Sequence, residues 1–378
     1  MITPGKTIGI FGGGQLGRMT GIAARKMGYS VHIFEPAANC PAGHIADREI
    51  NASYEDKEAL KDFIQQIDVL TYEFENIPSA TIEFAAEHRP LHPSSSVLFT
   101  CQNREREKLF LRANNIPHAD FEIVTSEEEL EAAVGKIGTP CVLKTADFGY
   151  DGKGQIKLSS EDKDFGKIWA QFSAPKAVLE KWVQFDLELS VICARNSKGE
   201  QCTFPVSENI HTNHILDLSI VPARISEHVT KEAETLALQI ANQLDVVGLI
   251  AVEMFLTKEG KIIVNELAPR PHNSGHYSFD ACVTSQFEQH VRSVCDLPLG
   301  STELLEPNVM VNILGDAWHA GEPDWAKLLE DPKVKLHLYG KAQARPGRKM
   351  GHFCVMDKSL ETALHKAQQY RNLITSTP

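Results

Sequence analysis

The sequence predicts an α/β protein that opens on a doubly wound parallel sheet. Two observations carry this. Short apolar runs alternate with helix-period stretches over roughly the first hundred residues, and the first run, TIGIF, feeds directly into the glycines of GGGQLG. At 378 residues the chain also exceeds one ordinary hydrophobic core, so two or three domains are expected.

The elements follow in order. Residues 7–11 form a strand, and a helix then runs through Met19, Ile22, Ala23 and Met27 to Gly28. YSVHIFEP is the next strand, with Glu35 at its end, and Asp68 to Tyr72 another, followed by Glu73, Phe74, Glu75 and Asn76. A single helical pattern spans Ser94 to Asn114, broken by Ile116-Pro117. FEIVT, a helix SEEELEAAVGKI with Ser126 and Glu129 as a capping box, and the buried strand CVLKT around Lys144 come next. AVLEKWV and LELSVICARN read as strands, 230–244 as an amphipathic helix, and VGLIAVEMFL with KIIVNELAP as a hairpin. Strands at 309–314, 333–339 and 350–356 and a helix over about 359–373 close the chain.

Composition narrows the function classes. Apolar residues make up 42% and charged residues 23%, the balance of a globular protein. No apolar run approaches the roughly 18 residues of a spanning helix, and the N-terminus has no signal-peptide pattern, so no membrane association is expected. The eight cysteines are scattered without a C-x-x-C pair, which points to a reduced, cytoplasmic setting. A net charge of −12 argues against nucleic-acid binding. It leaves room for a small anionic substrate at a local basic cluster, and Lys335, Lys341, Arg345, Arg348 and Lys349 form one.

Three motifs carry chemistry. If Glu259-Gly260 is a two-residue turn, Glu253 faces Glu266 across the hairpin, with Cβ atoms about 4.5–5.5 Å apart. Like charges that close need a cation between them, and Mg²⁺ is the natural one because it takes carboxylate and phosphate oxygens together. A three-residue turn bulged at Gly260 would shift the pairing by one, and Asn265 would share the site only if a bulge re-aimed it. The alternative is a solvated pair on an edge hairpin. The second motif, GYDGKG, is a phosphate-cradling loop with Lys153 inside it and Lys144 on the preceding strand; an ordinary Asp-Gly turn is the other reading. The third is the strip from Ala268 to His276, which leaves Glu266 and aims Arg270 and Asn273 at the same place, arginine suiting forked recognition of oxyanions. Gly12-x-Gly14-x-x-Gly17, with Glu35 downstream, also fits a Rossmann-like dinucleotide fingerprint and so an NAD-dependent oxidoreductase, although the same geometry serves any phosphate. A non-catalytic nucleotide sensor is a third class.

GGGQLGRM, YEFENIP, GYDGKGQ, VNE with APRPHNSGHYS, and YGK with ARPGRKMGH together resemble the N5-carboxyaminoimidazole ribonucleotide synthetase family of the ATP-grasp superfamily, along nearly the whole chain. The resemblance implies an N-terminal Rossmann-like domain over 1–107, an ATP-grasp α+β domain over 108–297 with a lid at about 115–185, and a β-rich C-terminal subdomain over 298–378. It implies a cytoplasmic homodimer that joins bicarbonate to aminoimidazole ribonucleotide using ATP and Mg²⁺, or Mn²⁺ in its place. Arg104, Lys144, Gly149, Tyr150, Asp151, Gly152, Lys153, Gly154, Gln155 and Glu188 would hold ATP. Glu180, Lys181, Trp182 and Val183 would form the hinge at adenine, with His211 and Asn265 at the nucleotide. Glu253 and Glu266 would bind the metal, and Arg270, His272 and Asn273 the bicarbonate-derived intermediate, with Lys144 and Lys153 offsetting charge. Gly14, Gln15, Glu73, Tyr150, Asp151, Lys341, Arg348 and Lys349 would form the ribonucleotide pocket, although Lys341 and Arg348 also read as surface residues, and Glu73 and Glu75 as capping or solvated acids. The rival inside the superfamily is a formate-using transformylase.

Overall fold

The computed structural model describes residues 1–147 and 154–375. Gly149, Tyr150, Asp151, Gly152 and Lys153 of the glycine-rich loop therefore lie outside the described residues. Three sheets organise the chain. The first is parallel, in the order Arg48–Ile50, Ser30–Phe34, Thr7–Phe11, Val69–Tyr72. The chain steps from Thr7–Phe11 to Ser30–Phe34 and Arg48–Ile50 on one side and then crosses to Val69–Tyr72 on the other, so a crevice opens at the carboxyl ends of Thr7–Phe11 and Val69–Tyr72, where doubly wound sheets place their ligands. Ile8, Ile10, Phe11, Val31, Ile33, Phe34, Val69 and Leu70 are buried because helices cover both faces.

The second sheet is antiparallel and small: Phe121–Val124, Ala177–Lys181, Cys141–Thr145, Gln155–Leu158. The third has nine strands. Its order runs Ile262–Ala268, Gly248–Thr257, Phe185–Arg195, Ser207–Thr212, Ile215–Val221, Asn308–Leu314, Lys349–Met356, Val334–Leu338, with Gln201–Thr203 pairing to Phe185–Arg195. The C-terminal strands thus extend the central sheet: Asn308–Leu314 pairs directly with Ile215–Val221. Helix Glu227–Gln243 packs Ala233, Ala237, Ile240 and Ala241 on one face of this sheet, and helix Leu360–Thr375 packs Ala363, Ala367 and Ile374 near its other end. No helix among the described residues is long and apolar enough to cross a membrane.

Two local expectations need correction. The stretch 94–114 is two helices, Ser95–Cys101 and Arg104–Ala113. Asn103 breaks them: it sits in extended backbone, its side chain accepts from Arg106 N at 3.0 Å, and its amide donates to Asp147 Oδ1 at 2.7 Å. Nothing in the apolar periodicity marks that break, because both halves bury the same side. At the helix Glu127–Ile137, Ser126 caps Glu129 N as expected, but the Glu129 carboxylate accepts from Thr125 N and Oγ1, each at 2.7 Å, one residue before the reciprocal position of a capping box.

Candidate functional site

The hairpin Gly248–Thr257 with Ile262–Ala268 lets both predicted registers operate in turn. A three-residue connection, Lys258 to Gly260 with Gly260 at φ +79°, pairs Leu256 with Ile262 and Met254 with Val264, one step away from the two-residue alignment. A bulge at Asn265 then restores the step, so Glu253 faces Glu266. Asn265, which an unbroken strand would turn away, lines the same cleft as both glutamates.

That cleft, of about 1090 Å³, lies where the three sheets meet. It is lined by Gln15, Glu73, Arg104, Lys144, Gly154, Gln155, Glu180, Lys181, Trp182, Val183, Glu188, His211, Glu253, Asn265, Glu266, Arg270, His272, Asn273 and Lys349. Of the other predicted residues in the described part, Gly14 lies against Glu73. Lys341 donates to Lys349 O at 2.6 Å, and Arg348 to Gln343 O at 3.0 Å. Lys335 and Arg345 do not line the cleft, so the basic cluster is drawn apart by its strands.

At one end, three cations surround a single buried carboxylate. Lys144 Nζ is 3.1 Å and Lys108 Nζ 3.4 Å from Glu180 Oε2, and Arg104 Nη1 is 3.8 Å from Oε1. Burial would raise the Glu180 pKa, but the three cations outweigh it and hold it at about 2. Burial lowers Lys144 against the pull of Glu180. The backbone beyond Glu180 continues to Trp182, whose ring carries Lys157 Nζ at 3.6 Å, and the stacked rings of Phe185 and Phe255 give the cleft a flat apolar wall.

In the middle, the pKa values of Glu253 and Glu266 are shifted in opposite directions. Burial would raise Glu253, yet His272 Nε2 at 3.0 Å from its Oε1 keeps it low. Glu266 is pushed up, first by burial and then by Glu253, with Arg104 at 3.8 Å opposing. Among the described residues no three His, Cys, Asp or Glu side chains gather as a metal cage. Two opposed carboxylates facing a cleft are what Mg²⁺ needs when phosphate oxygens complete its shell. His272 is fixed by Ser274 Oγ, 2.9 Å from its Nδ1, and His211 Nδ1 lies 2.6 Å from Glu188 Oε2; that carboxylate raises His211 against the lowering effect of burial.

Behind the glutamates, Arg270 Nε pairs with Glu75 Oε1 at 2.7 Å, so Glu75 is neither a cap nor a solvated acid. Asn273 and Asn312 exchange side-chain hydrogen bonds at 2.7 and 3.1 Å, anchoring the strip to the central sheet. The N-terminal glycines hold carboxylates of the chain itself. Glu73 accepts from Gly14 N and, at 2.6 Å, from Gly17 N, while Glu35 accepts from Gly13 N at 3.0 Å. A Cβ on Gly14 would lie 2.6 Å from Glu73 Oε1, so this glycine makes room for Glu73. Glu35, which a dinucleotide reading needs for a ribose, is turned back onto Gly13 N, Ala37 N and the Tyr54 hydroxyl. The geometry therefore speaks against the oxidoreductase.

Sequence reasoning missed Glu107, Lys108 and Glu75. Glu107 is raised to about 7 by burial, with Lys108 and Arg104 pulling the other way. On one helix, Arg104, Glu107 and Lys108 share a side at spacings of three and four, a signal visible in QNREREKL but masked there by other charges.

Comparison with known proteins agrees with this architecture. Residues 109–287 match the ATP-grasp domain, 5–102 the ribonucleotide synthetase preATP-grasp domain, and 308–366 the phosphoribosylaminoimidazole carboxylase C-terminal domain. The N5-carboxyaminoimidazole ribonucleotide synthase of Bacillus subtilis (strain 168) is 48% identical over 356 residues, covering 94% of this chain and 93% of its own. The N5-carboxyaminoimidazole synthetase of Staphylococcus aureus complexed with ADP superposes with TM-score 0.92 at 36% identity, over 98% of each chain. The N5-carboxyaminoimidazole synthase of Aspergillus clavatus, in complex with ADP and 5-aminoimidazole ribonucleotide, gives 0.89 at 32%, again over 98% of each. The chain belongs to the N5-carboxyaminoimidazole ribonucleotide synthase family.

Proposed function

We propose that this chain carboxylates 5-aminoimidazole ribonucleotide with bicarbonate, at the expense of ATP, to give N5-carboxyaminoimidazole ribonucleotide, ADP and phosphate. The observation that carries the reading is the opposition of Glu253 and Glu266 in a cleft with a cation-rich end at Lys144 and Arg104 and a buried arginine, Arg270, behind. The adenine lies against the Glu180 to Val183 segment and the apolar wall beside it. Lys144 and Arg104, with Lys153, meet the phosphates, and Glu188, His211 and Asn265 complete the nucleotide site. Glu253 and Glu266 would hold Mg²⁺, which would supply positive charge at the phosphate oxygens.

A bicarbonate oxygen attacks the γ-phosphorus as the bond to the ADP oxygen breaks, forming carboxyphosphate. Arg270, His272 and Asn273 orient it. The exocyclic amine then attacks the carboxyl carbon, the bond from that carbon to the phosphate oxygen breaks, and the departing phosphate takes the amine proton. The chain supplies position and electrostatics rather than a covalent step. Lys341, Arg348 and Lys349 face the ribonucleotide phosphate. Glu73, which already accepts from Gly14 N and Gly17 N, offers its remaining acceptor capacity to neutral donors of the substrate. The direct test is ADP release by Glu266→Gln. Turnover falls by at least about 100-fold, the scale of removing a transition-state charge partner, while the melting temperature stays near wild type. Near-normal turnover contradicts the metal assignment.

A further inference from the structure

The strand Ile262–Ala268 ends its sheet, and the bulge at Asn265 removes further backbone groups from the ladder. Buried main-chain groups must find other partners. Here a neighbouring helix supplies them. Asn265 O accepts from Lys108 Nζ at 2.7 Å, and Leu267 N donates to Glu107 Oε2 at 2.8 Å. Pro117 O takes Val264 N at 2.8 Å, so every bond in this stretch beyond the hairpin partner comes from outside the sheet. Glu107 and Lys108 are consecutive in the helix Arg104–Ala113 and are 3% and 0% exposed. The Lys108 ammonium bridges from Asn265 O to Glu180 Oε2, 3.4 Å away, and has no surface in the cleft.

A lysine sealed this far from water is costly unless its charge is paired and its donors are used. Lys108 meets both conditions, with its charge beside Glu180 and a donor on the carbonyl of the bulged residue Asn265. Straightening that bulge would leave only one of the two neighbours on the cleft face: with the hairpin register carried through, Asn265 would face Glu253 and Glu266 would turn to the opposite face. We infer that Lys108, seconded by Glu107, is a positioning residue for the reaction: it holds the bulge open and so keeps Asn265 and Glu266 directed at the same place. The inference rests on the reading that Asn265 serves the nucleotide.

The test is a double-mutant cycle on kcat and KM for MgATP, with melting temperatures, using Lys108→Met, Asn265→Ala and the pair. Each single change lowers kcat/KM by about 10- to 100-fold, the scale of a misplaced group near the reacting atoms, and the pair loses no more than the worse single variant. If Lys108→Met does not fold, Lys108→Arg goes through the same cycle, because it keeps the charge beside Glu180 while displacing the donor from the Asn265 carbonyl. Losses that multiply, or a Lys108 variant with a lowered melting temperature and wild-type ATP kinetics, overturn the clamp alone. Wild-type ATP kinetics in Asn265→Ala overturn the assignment of Asn265, and the clamp with it.

Discussion

Lys341, which donates to the carbonyl of the cleft residue Lys349, gives substrate binding a pH signature. Burial lowers its pKa to about 8, helped by Arg348 and Lys349 and opposed by Glu73. In the free enzyme it therefore loses its charge as pH rises through about 8. If it faces the ribonucleotide phosphate, kcat/KM for that substrate falls above this pH while kcat/KM for MgATP does not. Lys341→Arg keeps its charge and removes the alkaline fall. Lys341→Met raises the ribonucleotide KM about 10- to 100-fold at neutral pH, the worth of one charge-assisted bond. A profile unchanged in Lys341→Met places the phosphate elsewhere. At this scale the sequence was readable wherever chemistry and spacing coincide: Glu253, Glu266 and Arg270 stand out as residue types. Glu75 did not, because its meaning is its pairing with Arg270, nearly two hundred residues away in the chain.

The hairpin shows what an element reveals and what it conceals. Gly260 announces a turn, but not whether it spans two residues or three. The bulge at Asn265 has no signature of its own, since its cause is a lysine and a glutamate on another helix. The same holds at Asn103. The periodicity of residues 94–114 is continuous, and the break is set by a local cap on Arg106 N together with tertiary bonds to Asp147 and, through Arg104 N at 2.8 Å, the carbonyl of Ala146. Asn103→Ala removes a cap and a side-chain bond and should cost about 1–2 kcal/mol in urea denaturation. It also loosens Arg104, so KM for MgATP rises. A loss of stability without any change in that KM would show that the break serves folding alone.

Over the whole molecule, three strands of the parallel N-terminal sheet were legible from short apolar runs alternating with helical patterns, while Arg48–Ile50, three residues long and without a buried position, was not. Six of the nine strands of the central sheet were legible, but not 201–203, 207–212 and 215–221, nor the order, which joins residues 215–221 to 308–314. Local pattern does not encode such distant pairings. That closure matters for function, because it carries Lys349 into the cleft that Lys144 enters from the small sheet and Glu73 from the parallel one. A reaction that passes an unstable intermediate between two substrates needs all three walls. Arg270→Ala should therefore uncouple it: ADP is still released, at a reduced rate, while carboxylated product falls by about 100-fold or more. Parallel loss of both would instead place Arg270 at the nucleotide.

The central claim is tested most directly by supplying carbon-13 bicarbonate, 5-aminoimidazole ribonucleotide and MgATP and following label and ADP together. The account predicts labelled N5-carboxyaminoimidazole ribonucleotide formed in equal amount to ADP, with little ADP when the ribonucleotide is left out. ADP release with formate and glycinamide ribonucleotide, and none with bicarbonate and aminoimidazole ribonucleotide, would contradict it.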